Sequence, residues 1–200
     1  KTMMYKGGEL GIISAPFDYE DGGMQIPLVV YTAATYILDA ANNHLPGYAG
    51  LTQGAAELII HFANKELNET YVPNMLSGQW GGTMCLTEPQ AGSSLSDIVT
   101  KAKPTSDGYY KLSGQKIFIS GGDNQFADNI VHLVLARVEG APKGTKGISL
   151  FVVPKNRPDR SGSLIPNDVT TVADFQKLGQ RGYCTTHLGF GDADDCRGWL

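Results

Sequence analysis

Met84-Cys85-Leu86-Thr87-Glu88-Pro89-Gln90-Ala91-Gly92-Ser93 is the densest run of chemically useful residues in the chain. A strand ends here, and Glu88-Pro89 turns the chain before small residues and hydroxyls follow. The end of a strand leaves backbone N–H and C=O groups that a planar polar ring can pair with. In the Ala91-Gly92-Ser93 turn, Gly92 lets backbone approach a phosphate, and the Ser93 hydroxyl is an added donor. Pro, Gly and Ser are also what any plain turn uses, so that reading stands beside the anion-binding one.

Other familiar chemistries have no support. No Gly-x-Gly-x-x-Gly follows a strand, which removes a doubly wound dinucleotide fold. Gly140 to Gly147 lacks the Gly-Lys-Ser/Thr that closes a phosphate loop. His44, His61, His132 and His187 are scattered, and none pairs with a second His or Cys at metal-ligand spacing, so each reads as structural and no metal is expected. No Gly-x-Ser-x-Gly elbow is present. An enzyme built on this chain needs a bound cofactor, or residues outside it.

The elements that must position the Met84–Ser93 run differ on its two sides. Before it, Ile26, Val29, Val30, Ala33, Ile37 and Ala40 recur at helical spacing, as do Ala55, Leu58, Ile59, Phe62 and Ala63. A third helix runs through Tyr71, Val72, Met75 and Leu76 and should stop at Gly78. All three stripes read as the core of a helix bundle. From Gly81 the period becomes that of strands. Ile98 to Lys103 and Tyr109 to Ile119 flank Asp107-Gly108, a hairpin signal. Ile130 to Val138 and Gly147 to Val153 flank the turn-rich Glu139 to Lys146, and Tyr183 to Phe190 reads as a last strand. The fold class is α+β, a partial helical domain over 1–80 followed by an antiparallel β-barrel-like domain over 81–200.

Composition sets outer bounds. The 200 residues are 42% hydrophobic and 18% charged, with 16 Lys+Arg against 20 Asp+Glu and a net charge of −4. That is apolar enough for a core burying about 70% of the unfolded surface. No apolar run approaches the ~18 residues of a membrane span, and no basic cluster suggests nucleic acid. Three cysteines, Cys85, Cys184 and Cys196, form no Cys-x-x-Cys pair and suit a reduced, cytoplasmic setting. Asn68-Glu69-Thr70 is then a chance sequon. The ends, Lys1 and Trp199-Leu200, read as those of a piece of something longer.

Leu86-Thr87-Glu88-Pro89 with Ala91-Gly92-Ser93 resembles the signature of the acyl-CoA dehydrogenase family. Gly114-Gln115-Lys116-Ile117-Phe118-Ile119-Ser120 resembles that family's second flavin-contacting strand. Tyr19-Glu20-Asp21-Gly22-Gly23 is similar to the loop ahead of its early helices, and Tyr71-Val72-Pro73 to the helix before its β-domain. Lys177-Leu178-Gly179-Gln180-Arg181-Gly182 and Cys196-Arg197-Gly198-Trp199-Leu200 resemble the end of its middle domain. Glu139 to Pro154 is most similar to the large bacterial branch that includes methylmercaptopropionyl-CoA and fatty-acyl-CoA dehydrogenases.

The resemblance implies a chain holding the N-terminal and middle domains, with a C-terminal helical domain absent. It implies FAD as cofactor and α,β-dehydrogenation of an acyl-CoA thioester, the β-hydrogen leaving as hydride to flavin N5. Thr87, on the strand of Met84 and Leu86, would donate to the N1/O2 region, which favours negative charge on the reduced flavin. Met84 stands where many members carry an aromatic residue, so it packs on the ring without stacking. Ser93 would hold the pyrophosphate and border the CoA substrate, with Gly92 allowing close approach. Phe118, Ile119 and Ser120 would form the second contact, the Phe118 ring shielding the dimethylbenzene side and the Ser120 hydroxyl reaching N5. Read from strand packing alone, Phe118 is a core residue. Gln90 and Ser94 depart from the family's commonest Gly and Asp.

The resemblance puts the catalytic base in the absent domain, so no catalytic residue is expected in this chain and Glu88 takes a turn or domain-contact role. It also implies an electron-transferring flavoprotein as partner and a homo-oligomer for the full-length protein. An acyl-CoA oxidase, an alkylation-response flavoprotein of the same fold, and a β-sandwich binding module behind a helical spacer are the alternatives.

Overall fold

Asn64 accepts a hydrogen bond from the Leu67 amide at 3.0 Å and so satisfies one of the free donors at the start of the helix that follows it. In the computed structural model, which describes residues 2–200, that helix is the last of four: α1 (Thr2–Glu9), α2 (Leu28–Ala41), α3 (Leu45–Phe62) and α4 (Lys65–Leu76). α3 buries Ala49, Thr52, Ala55, Ala56 and Ile59, and α4 buries Leu67, Tyr71, Val72, Met75 and Leu76. These rows recur at three- and four-residue spacing, so each helix turns one stripe inward. α4 ends where expected, at a left-handed Gly78 with φ +73°. Gly82 is a packing requirement, since a Cβ there would lie 2.8 Å from the Ala55 Cβ.

The first predicted stripe is not core. α2 forms at the expected place but buries nothing; Val29 is 77% exposed and Ile37 68%. Periodicity reports that a helix has an apolar face, and it is silent on whether another element covers that face. Phe62, assigned to the second stripe, is likewise exposed at the end of α3. No helix among the described residues is long and apolar enough to cross a membrane.

The strands are β1 (Trp80–Cys85), β2 (Lys101–Pro104), β3 (Tyr110–Ser120), β4 (Asn129–Val138), β5 (Ile148–Pro154), β6 (Asn156–Pro158), β7 (Leu164–Pro166), β8 (Val169–Asp174), β9 (Thr185–Phe190) and β10 (Arg197–Gly198). The main sheet has eight strands in the order β1-β4-β2-β3-β9-β8, with β5 added on β4 and β10 on β3. Gly108, at φ +83°, closes the expected β2–β3 hairpin, and β4 pairs antiparallel with β5. One contact departs from the antiparallel expectation. β2 runs parallel to β4 over the pairs Lys101↔Arg137 and Ala102↔Val138. β9 is not the last strand either, because Arg197–Gly198 returns to pair with Lys111 and Tyr110.

The curled sheet closes on Cys85, Ala102, Leu112, Val134, Ala136, Phe151, Leu188 and Phe190. Residues fall into two compact units. The helical one runs through Gly82 and takes in 124–129 and 176–184, and the β unit comprises 83–123, 130–175 and 185–200.

Candidate functional site

The end of β1 and the middle of β3 are joined side by side within the β unit. The Ile117 amide donates to the Thr87 carbonyl at 2.9 Å, and Lys116 Nζ donates to the Leu86 carbonyl at 3.0 Å. The two segments singled out in the sequence are therefore neighbours, although about thirty residues of chain separate them. Glu88 and Ala91 exchange backbone hydrogen bonds at 2.9 and 3.1 Å, which closes the turn at Pro89-Gln90.

Glu88 anchors that turn. Its carboxylate accepts from the Val99 amide at 2.7 Å, the Thr100 amide at 3.0 Å, Gln90 Nε2 at 2.7 Å and Lys116 Nζ at 2.9 Å. The Lys116 and Glu88 side chains are 0% and 1% exposed. Burial pushes the Glu88 carboxyl up, but its hydrogen bonds from Thr100, Val99 and Lys116 outweigh that and hold it at about 2. A carboxylate this acidic and this occupied is a poor proton acceptor, so Glu88 is structural. Burial also draws the Lys116 ammonium below its ordinary value, against the pull of Glu88.

Thr87 sits between these fastenings with its own donors free. Its carbonyl is taken by Ile117, while neither its amide nor its hydroxyl has a partner among the described residues. Met84 and Leu86 are half-buried on one side of the chain, with Cys85 between them turned into the core. Gly92 and Ser93 are exposed, and a Cβ on Gly92 would meet nothing within 4 Å. The chain's own packing thus does not call for a glycine at that position.

Phe118 departs from the strand. Lys116 pairs with Leu188 and Ile119 with Thr186, so two residues of β3 face one of β9. The result is a β-bulge, with Phe118 in the left-handed region at φ +57°. Such a conformation costs a bulky residue on the order of 1–3 kcal/mol. The bulge leaves Phe118 56% exposed, its ring 4.7 Å from that of Phe175. Phe118 is therefore not the core residue that strand packing suggests. Ile119, by contrast, lies in the core, which leaves only its backbone for a contact outside. Its carbonyl already accepts from Thr186 Oγ1 at 3.2 Å. Ser120 is half-buried, and its hydroxyl has no partner among the described residues.

Three residues escaped the sequence reading. Lys116 lies four positions from the buried Leu112, and that even spacing in a strand was a usable signal for its inward side chain. Phe175 gave no signal. Arg137 spends its guanidinium on backbone carbonyls, Nε to Ile98 at 2.8 Å and Nη1 to Gly144 at 2.7 Å, with Nη2 on Ser96. It thereby ties the loop after Ser93 to the β4–β5 loop.

Free donors at Thr87, an outward aromatic at Phe118 and an open Gly92 turn together fit one side of a flavin nucleotide. The fold is that of the acyl-CoA dehydrogenase class, and sequence comparison agrees. The acyl-CoA dehydrogenase N-terminal domain matches residues 1–79 and the middle domain of the same family matches residues 83–193. The chain belongs to the acyl-CoA dehydrogenase family. A butyryl-CoA dehydrogenase of Syntrophomonas wolfei is 49% identical over 152 residues, covering 75% of this chain and 25% of that protein. The 3-methylmercaptopropionyl-CoA dehydrogenase of Ruegeria pomeroyi is 40% identical over 201 residues, covering 100% of this chain and 34% of that protein. The acyl-CoA dehydrogenase of Bacillus anthracis solved with FAD superposes at a TM-score of 0.75 with 26% identity, over 98% of this chain and 30% of that one. The chain thus spans between about a quarter and about a third of the length of these relatives.

Proposed function

We propose that the protein, in its full length, is an FAD-dependent acyl-CoA dehydrogenase that oxidises the α,β bond of an acyl-CoA thioester. This chain supplies one wall of the flavin site, with residues through about 80 as its N-terminal helical domain and the rest as its middle β-domain. The observation that carries the reading is that the segment with the unpaired Thr87 donors is hydrogen-bonded to β3 next to the outward Phe118 ring.

Bound flavin supplies the hydride acceptor for the β-hydrogen. The Thr87 amide and hydroxyl hold the pyrimidine edge, and as donors they stabilise negative charge gathering there. Phe118 would cover the dimethylbenzene side, and the Ser120 hydroxyl would serve as a donor to N5. Met84 and Leu86 pack on the ring, and the Ile119 backbone completes the second contact. Gly92 and Ser93 receive the pyrophosphate, where an open backbone and a hydroxyl suit an anion, and Ser93 borders the CoA chain. The family resemblance assigns the α-proton to a carboxylate outside this chain, and Glu88, with both oxygens occupied, is not that base. Electrons leave to an electron-transferring flavoprotein, and the full-length protein is a homo-oligomer in the cytoplasm. Cys85, Cys184 and Cys196, none joined in a disulfide among the described residues, suit that reduced setting.

Purified full-length protein should be yellow and should bleach when an acyl-CoA is added without oxygen. A colourless protein that releases no flavin on denaturation would overturn the proposal.

A further inference from the structure

Glu88 and Lys116 stand in the same wall, yet neither faces where a ring would lie. Their placement brackets the residues that do. Lys116 Nζ reaches across from β3 to the Leu86 carbonyl at 3.0 Å and to Glu88 Oε1 at 2.9 Å, the residues on either side of Thr87. Its chain neighbour Ile117 holds the Thr87 carbonyl, and the next residue is Phe118. Glu88 in turn fixes the far side of the turn through the Val99 and Thr100 amides.

A buried ion pair adds little net stability, because desolvation offsets most of the attraction. What it contributes is geometry. Two buried charges with their hydrogen bonds satisfied accept far fewer arrangements than two apolar side chains of similar size. From this we infer that the Glu88–Lys116 pair is a positioning device for flavin, setting the Thr87 donors and the bulged Phe118 ring at one fixed separation. Neither residue touches the cofactor in this scheme; both act through Thr87 and Phe118. The inference rests on the flavin-site reading above.

The test uses full-length holoprotein and three variants: Lys116→Met, Glu88→Gln, and the double variant Lys116→Met/Glu88→Gln. The readouts are thermal midpoint, flavin dissociation constant, flavin absorption spectrum and reduction potential. Each single change leaves a buried group without its partner, and both should lower the thermal midpoint. The double variant removes both charges and should regain much of that loss. Its flavin should nevertheless bind at least about tenfold more weakly, the scale on which supporting residues act, with an altered spectrum and potential. A double variant with wild-type affinity, spectrum and potential would reduce the pair to scaffolding and overturn the inference alone. If wild-type protein carries no flavin, the functional reading falls and takes the inference with it. Should the single variants fail to fold, the double variant decides.

Discussion

Thr83 Oγ1 lies 2.7 Å from His132 Nδ1, and both side chains are shut away from solvent in the β unit. The other ring nitrogen, Nε2, is buried without a hydrogen-bond partner among the described residues. Burial, helped by the Lys155 charge, lowers the imidazole from 6.5 to about 3, so it stays neutral in the fold. Unfolded chain takes up a proton at this histidine below its ordinary value, whereas folded chain refuses it. Stability should therefore be complete above pH 6.5 and fall as the pH drops toward 3, by up to about 5 kcal/mol. Urea unfolding between pH 7 and 4 measures this, and His132→Gln should flatten the slope in that window. An unchanged slope would show that another group carries it.

Glu88 acts in a lower window. Its carboxyl falls from 4.5 to about 2 on folding, so its contribution is full above pH 4.5 and lost as the pH drops toward 2. The size is about 3 kcal/mol. Glu88→Gln should abolish that acid limb and also weaken the fold at neutral pH by about 3–5 kcal/mol, because Lys116 is left buried and unpaired. Unfolding curves at pH 7 and pH 3 separate the two effects.

Gly92 separates binding from folding. A methyl group there meets open space, so Gly92→Ala should change stability by less than about 0.5 kcal/mol. If Gly92 receives the pyrophosphate as proposed, flavin affinity of the full-length protein should fall, since the methyl would stand in the way of the phosphate. Equal affinity would move the pyrophosphate elsewhere.

Arg137→Lys keeps the charge and loses the fork. One ammonium cannot reach the Ile98, Gly144 and Ser96 carbonyls together. The loops at 92–98 and 139–147 should loosen and be cut earlier in limited proteolysis, with a stability loss of about 1–3 kcal/mol. Cleavage at the wild-type rate would show that other contacts hold these loops.

Much of this architecture was legible because local chemistry dictated it. Asp107-Gly108 has the left-handed tolerance a tight hairpin needs, and Gly78 stops α4 for the same reason. The Thr87 and Phe118 segments stood out as motifs, though nothing local revealed that a hydrogen bond from Ile117 to Thr87 brings them together. What stayed hidden depended on distant partners. A lysine is by type a surface residue, and Lys116 is buried only because Glu88, 28 positions away, meets it. The α2 stripe has the spacing of a core face, yet none of the described residues covers Val29 or Ile37. The bulge at Phe118 shifts the parity of β3 midway, so counting alternate residues fails beyond Lys116.

That bulge also has a genetic meaning. Removing Phe118 would leave β3 an unbroken ladder, its pairs with β9 intact on both sides. The β unit would keep its core while the outward ring vanished. A single lost codon would thus remove the proposed flavin contact and spare the domain.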